Sequence, residues 1–347
     1  MKRILVALTA LTLIATGCEK KAPHSGEEEE DTPIVEPSVI DLSIIGAPES
    51  AVLVGEKFSL TVEITPDDVD VPTAEWSSSD PAVAKVNANG RVLATGPGTC
   101  DISASIGENS AIVTVSVNDR DPGKDAMGHE GASKTTQGKN NDKTHFSLGD
   151  TGLDGVIWYQ GGNNSVMYYE NGTFKAAWSG TNDFYAGVGY DYAEESGVNL
   201  ENMQYDCYFK HSKAGSGGGY NYIGIHGWTV DPLVEFYIVD DWYNKPGAAL
   251  LGQRKGEMTI DGDTYEIWQN TRVQQPSIIG TATFVQYYSV RKTARAYGHI
   301  QISKHFDKWN ILGMKLGKLY EVRYYAEVGG GSGSLDCTYL FMSDGQI

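Results

Sequence analysis

The run PLVEFYIV (232–239) carries the residues best suited to chemistry. Strand alternation turns Val234, Phe236 and Ile238 to one side and Glu235 and Tyr237 to the other. A carboxylate and a phenol therefore share the face turned away from the apolar core. The run YIGIHGW (222–228) places Tyr222, His226 and Trp228 on one face in the same way. All twenty tyrosines lie between 159 and 339, and six of the seven tryptophans lie beyond 147. Such rings offer a flat apolar surface with a polar tip, which suits the faces of sugars. Many of them must also fill a core. A large sheet with a polar, aromatic concave face is a groove for a chain-like ligand. No metal-ligand spacing of His and Cys appears, so a metal is not expected.

The elements that position these residues are mostly strands. The chain has 41 glycines and only 12 prolines in 347 residues, a balance that favours strands and tight turns. One helix is expected near 304–314, in KHFDKWNILGM. Residues 39–117 alternate in short runs, with Phe58, Leu60, Val62 and Ile64 on one face. Asn89-Gly90 between VAKVNA and RVLAT is a strong hairpin signal, and about seven such strands describe an immunoglobulin-like sandwich. Cys100 is alone there and reads as a small buried hydrophobe. Residues 118–146 are polar and without periodicity, which reads as a linker, with His129 and His145 solvated inside it. The fold class is all-β: an Ig-like β-sandwich, then a twisted two-sheet domain over 147–347 with one short helix. With 27 basic and 45 acidic residues the net charge is -18, which argues against nucleic acid as a partner.

The first residues read as an address. Lys2 and Arg3 precede an apolar stretch too short to span a bilayer, so 1–17 reads as a signal peptide. ATGC resembles a bacterial lipobox, which implies lipidation of Cys18 and a membrane partner reached through that lipid. The acidic tether 18–38 contains GEEEED (26–31), which resembles the surface-export signal of some Bacteroidota lipoproteins and also suits a plain spacer. The expected location is the outer membrane or cell surface of a Gram-negative bacterium. Residues 39–117 resemble the group-two bacterial Ig-like domain through VGEKFSLTVEITP, WSSSDPAVAKVNANGRVLATGPGTCDISA and VTVSV.

The C-terminal part resembles glycoside hydrolase family eleven, the β-jelly-roll endo-xylanases. HGWTVDPLVEFYIVDDW (226–242), YEIWQNTRVQQPSIIGTATFVQYYSVR (265–291), KHFDKWNILGMKLG (304–317) and AEVGGGSGS (326–334) carry the likeness. It implies a concanavalin-like jelly roll that hydrolyses xylan and xylo-oligosaccharides with retention, as an expected monomer and without a cofactor. Glu235 matches the nucleophile and Glu327 the general acid/base, two carboxyls that a retaining mechanism needs close together. The resemblance places Trp158, Tyr222, Tyr237, Arg272, Gln286 and the thumb-tip residues Pro276 and Ile278 at the substrate. It also places Asp183 beside Glu327, where Asp accompanies acid optima. The implied active form keeps Glu327 protonated and hydrogen-bonded to a charged Asp183.

Three departures from the family pattern stand out. His226 replaces a tyrosine that donates to the nucleophile, which adds a group with its own titration. Val328 and Gly329 replace Gly and an aromatic, which is expected to open one side of the groove. The strand before Glu327 carries one residue more than its Tyr320 would require, which a bulge would absorb. These departures sustain an alternative, a catalytically weak xylan-binding surface lipoprotein. An adhesin built on the Ig-like domain is a third reading. Cys207 and Cys337 fall on strands of an exported domain, and geometry decides whether they bridge.

Overall fold

A computed structural model describes residues 41–65, 73–201 and 203–347. The signal segment 1–17, Cys18 and the tether 18–38 lie outside the described residues. The Ig-like segment forms as the alternation predicts. Its strands make a four-stranded sheet, a three-stranded sheet and the pair Asp41–Ile45 with Thr61–Thr65. Asn87 to Gly90 turn the hairpin that pairs Val86 with Val92, and Gly90 takes the positive φ such a turn requires. Leu60, Val92, Ile102, Val115 and Val117 fill the space between the sheets.

The second domain is two sheets face to face. Nine strands form the groove sheet: β1 (Thr144–Ser147), β2 (Asp154–Gln160), β3 (Asp183–Asp191), β4 (Asn221–Val230), β5 (Val234–Asp241), β6 (Gln253–Ile260), β7 (Asp263–Ser277), β8 (Gly280–Arg291) and β9 (Lys318–Val328). Their spatial order is β1-β2-β3-β9-β4-β5-β8-β7-β6. The contacts are antiparallel except for β5 with β8, which run parallel. Six strands form the back sheet, with Phe174–Ser179 and Ser332–Ser343 central. Val234, Phe236 and Ile238 point between the sheets with Phe174, Phe184, Phe209 and Tyr324. The outward positions of β4 and β5 are buried as well, because Tyr222, Tyr237, Val239, Tyr288 and Tyr325 pack into a second cluster on the groove face.

The helix spans Ile302–Ile311, two residues earlier than expected. Ile302, His305, Phe306 and Trp309 are its buried face, the spacing of one helical stripe. Ile302 is the first member of that stripe, and Gly313 at φ +77° follows its end. The Trp309 indole donates to Ser289 Oγ at 3.0 Å. His305 is fully buried, and among the described residues neither ring nitrogen has a hydrogen-bond partner. A short second helix, Ala248–Leu251, was not expected.

Residues 118–146 are not a linker. Ser133–Thr136 pairs with Asn163–Tyr169 in the back sheet, and β1 pairs with β2. His129 stacks on Tyr169 and bonds Asp336 at 2.8 Å, and His145 lies 3.3 Å from Asp154. Polar composition hid these strands because they lie at sheet edges, where side chains remain wet. Cys207 and Cys337 are buried free thiols. Cys207 faces Met342 across the ladder and Cys337 faces His211, an offset that keeps the two apart.

The Ig-like domain docks on the back sheet. Tyr208 and Tyr339 join its core, and Phe341 packs beside them. The Arg120 guanidinium lies 3.5 Å from the Phe341 ring centroid, and its Nε donates to the Val54 carbonyl at 2.7 Å. Tyr208 donates to Asp119 at 2.9 Å. A Cβ at Gly55 would collide with the Phe341 ring, so the glycine permits close approach. Arg120→Ala removes the cation–π contact and the bond to Val54 together. The expected loss is about 2 kcal/mol, read as a lower midpoint in urea unfolding.

Candidate active site

The groove face is read most simply across the strands. Trp158 on β2 faces Tyr185 on β3, Tyr185 faces Glu327 on β9, and Glu327 faces Tyr222 on β4. A register shift between Ile223 and Gly224 then steps the next ladder along. Beyond it Glu235 on β5 faces Trp228 on one side and Gln286 on the other, and Gln286 faces Asn270 on β7. Each residue reaches the groove because its neighbours in sequence are core residues.

Glu235 is only 9% exposed and is held by three donors. The Tyr237 hydroxyl donates to Oε1 at 2.8 Å, His226 Nε2 lies 3.2 Å from the same oxygen, and Gln286 Nε2 donates to Oε2 at 2.6 Å. Asn270 donates to the Gln286 carbonyl at 3.2 Å, which fixes that amide's orientation. On its other side His226 Nδ1 lies 3.1 Å from the Tyr185 hydroxyl. An ionised carboxylate only accepts, so Nε2 carries a proton toward Glu235.

Glu327 has the opposite surroundings. Its Oε2 is buried without a hydrogen-bond partner. Burial, then the charges of Asp183 and Glu235, push this carboxyl well above the usual range, which favours a bound proton. Asp183 lies two residues from Tyr185, diagonal to Glu327 on the same face. Burial pushes it up to about 6, while a hydrogen bond from Tyr220 opposes the rise. The expected hydrogen bond between Asp183 and Glu327 is absent: Asp183 Oδ1 and Glu327 Oε2 are each unpartnered. The two carboxyls interact through charge, and Asp183 is the one that titrates near the working range.

The other expected residues divide. Trp158, Tyr222, Tyr237 and Gln286 are on the groove face with the carboxyls. Arg272 is exposed on β7, and its charge favours ionisation of Asp183 and Glu327. Pro276 and Ile278 stand at the tip of the β7–β8 hairpin. Pro276 pairs with Thr281 at the end of the β7–β8 hairpin, six residues beyond Asn270, roughly 20 Å of strand. The expected bulge is present, since Trp228 faces Glu321 while Thr229 faces Leu319, skipping Tyr320. Trp228 packs on Phe284 beneath the groove. The groove is not opened at Gly329, because the Tyr220 ring takes that space. Four residues escaped the sequence reading: Tyr185, Tyr220, Tyr288 and Tyr325. Each stands two positions from one already singled out (Asp183, Tyr222, Gln286 and Glu327), so the period of two would have found them.

A jelly roll whose concave sheet presents two carboxyls, one held by three donors and one pushed well above the usual range by burial, fits a glycoside hydrolase of the two-carboxylate type. Residues 152–338, more than half of the chain, match Glycosyl hydrolases family 11, and the chain belongs to that family. Residues 43–117 match the Bacterial Ig-like domain (group 2). Endo-1,4-beta-xylanase C of Fibrobacter succinogenes is 64% identical over 221 residues, covering 64% of this chain and 36% of that protein. Endo-1,4-beta-xylanase S20 of Neocallimastix patriciarum is 41% identical over 194 residues, covering 54% of this chain and 57% of its own length. The chain thus spans less than two thirds of these relatives. The crystal structure of wild-type ENZbleach xylanase superposes with a TM-score of 0.59 at 33% identity, covering 65% of this chain and 93% of that one.

Ionisation of Asp183 sets a negative charge beside Glu327 and makes it a more reluctant acid. Proton donation should therefore weaken as pH rises through about 6, where Asp183 charges. Asp183→Asn cannot ionise, so it should move the alkaline limb of the kcat/KM profile upward while Glu327 stays essential. A profile that does not move would remove Asp183 from the role of tuner.

Proposed function

We propose that the protein is an endo-1,4-β-xylanase that hydrolyses internal bonds of xylan with retention of configuration. The observation that carries this is the opposed pair, Glu235 fixed by Tyr237, His226 and Gln286, and Glu327 buried with Oε2 unpartnered and its carboxyl pushed well above the usual range. In the first step Glu235 attacks the anomeric carbon while Glu327 gives its proton to the departing oxygen. A covalent ester joins the glycone to Glu235. In the second step Glu327, now a base, takes a proton from water, which displaces Glu235 and restores both carboxyls. Trp158, only half-buried, supplies a flat surface for a sugar ring along the groove. The family membership and the xylanase names of the relatives support the choice of substrate.

Reducing-sugar release from soluble xylan is the test. Glu235→Gln should lower it by roughly 10³-fold or more with melting temperature and xylan binding kept. Glu327→Ala should spare substrates with good leaving groups in the glycosylation step, since those need little protonation. A folded Glu235→Gln protein that keeps most activity would overturn the assignment, and binding without turnover in the wild type would favour the xylan-binding alternative.

The basic, apolar and small-residue sequence of 1–18 supports a lipid on Cys18 and an outer-membrane or cell-surface location. Among the described residues no helix is long and apolar enough to cross a membrane. Cys18→Ser should move the protein from the membrane fraction to the soluble exported fraction, since several acyl chains anchor stably. Unchanged fractionation would exclude this anchor.

A further inference from the structure

Tyr185 stands outside the motifs that suggested the site, yet ladders and hydrogen bonds set it against both carboxyls. It faces Glu327 across the β3–β9 ladder, and its hydroxyl lies 3.1 Å from His226 Nδ1. His226 Nε2 in turn lies 3.2 Å from Glu235 Oε1. Tyr185 is 7% exposed and His226 4%, so neither ring is a platform for a sugar. The two meet edge to face with centroids 5.1 Å apart, and Trp228, Tyr237 and Tyr325 wall the imidazole on its other sides. Across the ladder on β9 stands Arg323, itself bound to Glu321, Asp154 and Asp191.

We propose that Tyr185 is a positioning residue for the nucleophile: its hydroxyl donates to His226 Nδ1 and so holds the ring as the neutral tautomer whose Nε2–H points at Glu235. The inference rests on the reading of Glu235 as the nucleophile. A neutral imidazole has one donor and one acceptor nitrogen, and the bond made at one decides the state of the other. With the proton on Nδ1 instead, the Nε2 lone pair would face the lone pairs of Oε1, and one of the three donors to Glu235 would become a repulsion. With protons on both nitrogens, Nδ1 could no longer accept from the phenol, and a second positive charge would stand across the ladder from Arg323. A phenol proton offered to Nδ1 opposes both states. Gln286, the other donor with two possible orientations, is set in the same way, by Asn270 on its carbonyl. Each of these two donors to Glu235 thus has its own orienting neighbour, and together they fix how the carboxylate presents its oxygens.

The test is a mutant cycle with a spectroscopic readout. In the full chain, ¹⁵N NMR of the His226 ring should show Nδ1 unprotonated and hydrogen-bonded, and Tyr185→Phe should move that resonance as the bond is lost. The same substitution should lower kcat on xylan by roughly tenfold with KM kept, because a buried phenol that orients a donor does not hold the sugar. Tyr185 also faces Glu327, and a His226→Phe background separates the two routes. A loss carried by His226 vanishes there, so Tyr185→Phe should cost less than about twofold more, whereas a loss carried by Glu327 would persist in full. Melting temperatures confirm that each variant folds. Equal losses in both backgrounds, a protonated Nδ1 in the wild type, or an Nδ1 resonance that Tyr185→Phe does not move overturn the proposal. A wild-type protein that fails to hydrolyse xylan while Nδ1 responds to Tyr185→Phe counts against the enzyme reading alone.

Discussion

The structure turns on the cost of keeping carboxyl groups together away from water. Asp183, Glu235 and Glu327 share one groove lined by phenol rings, and like charges that close cannot all ionise without penalty. The sheet resolves this by unequal treatment. Three donors are spent on Glu235, one on Asp183, and Glu327 Oε2 is left with none. Proton placement follows from that distribution. The second aromatic cluster is therefore part of the chemistry, since its rings keep water out and make each donor count. A further charge cluster, with Arg323 buried against Glu321 and Asp154, lies on the same face, where Arg323 faces His226 across the ladder.

Much of this was legible because alternation is a strict rule. Glu235 and Tyr237 had to share a face once Val234 and Phe236 were core, and β5 obeys. The hairpin at Asn89-Gly90 and the bulge near Tyr320 were legible for the same reason, since each changes a residue count. Contacts between distant segments were not. Nothing in the run around Gly329 says that a ring 109 positions earlier fills its place, and the edge strands within 118–146 have no apolar face to announce them. Pro276 and Ile278 show a further limit. A motif fixes where they lie on the hairpin, while the reach of that hairpin toward the carboxyls is a matter of its bend.

The docking of the Ig-like domain has a mechanical consequence. With Tyr208, Tyr339 and Phe341 absorbed into the Ig-like core and Arg120 bridging the seam, the two domains move as one lever. A pull applied at residue 41 is carried through the sandwich into the back sheet, which packs behind the sheet that bears the groove. The heading of the groove relative to that point is then fixed by packing.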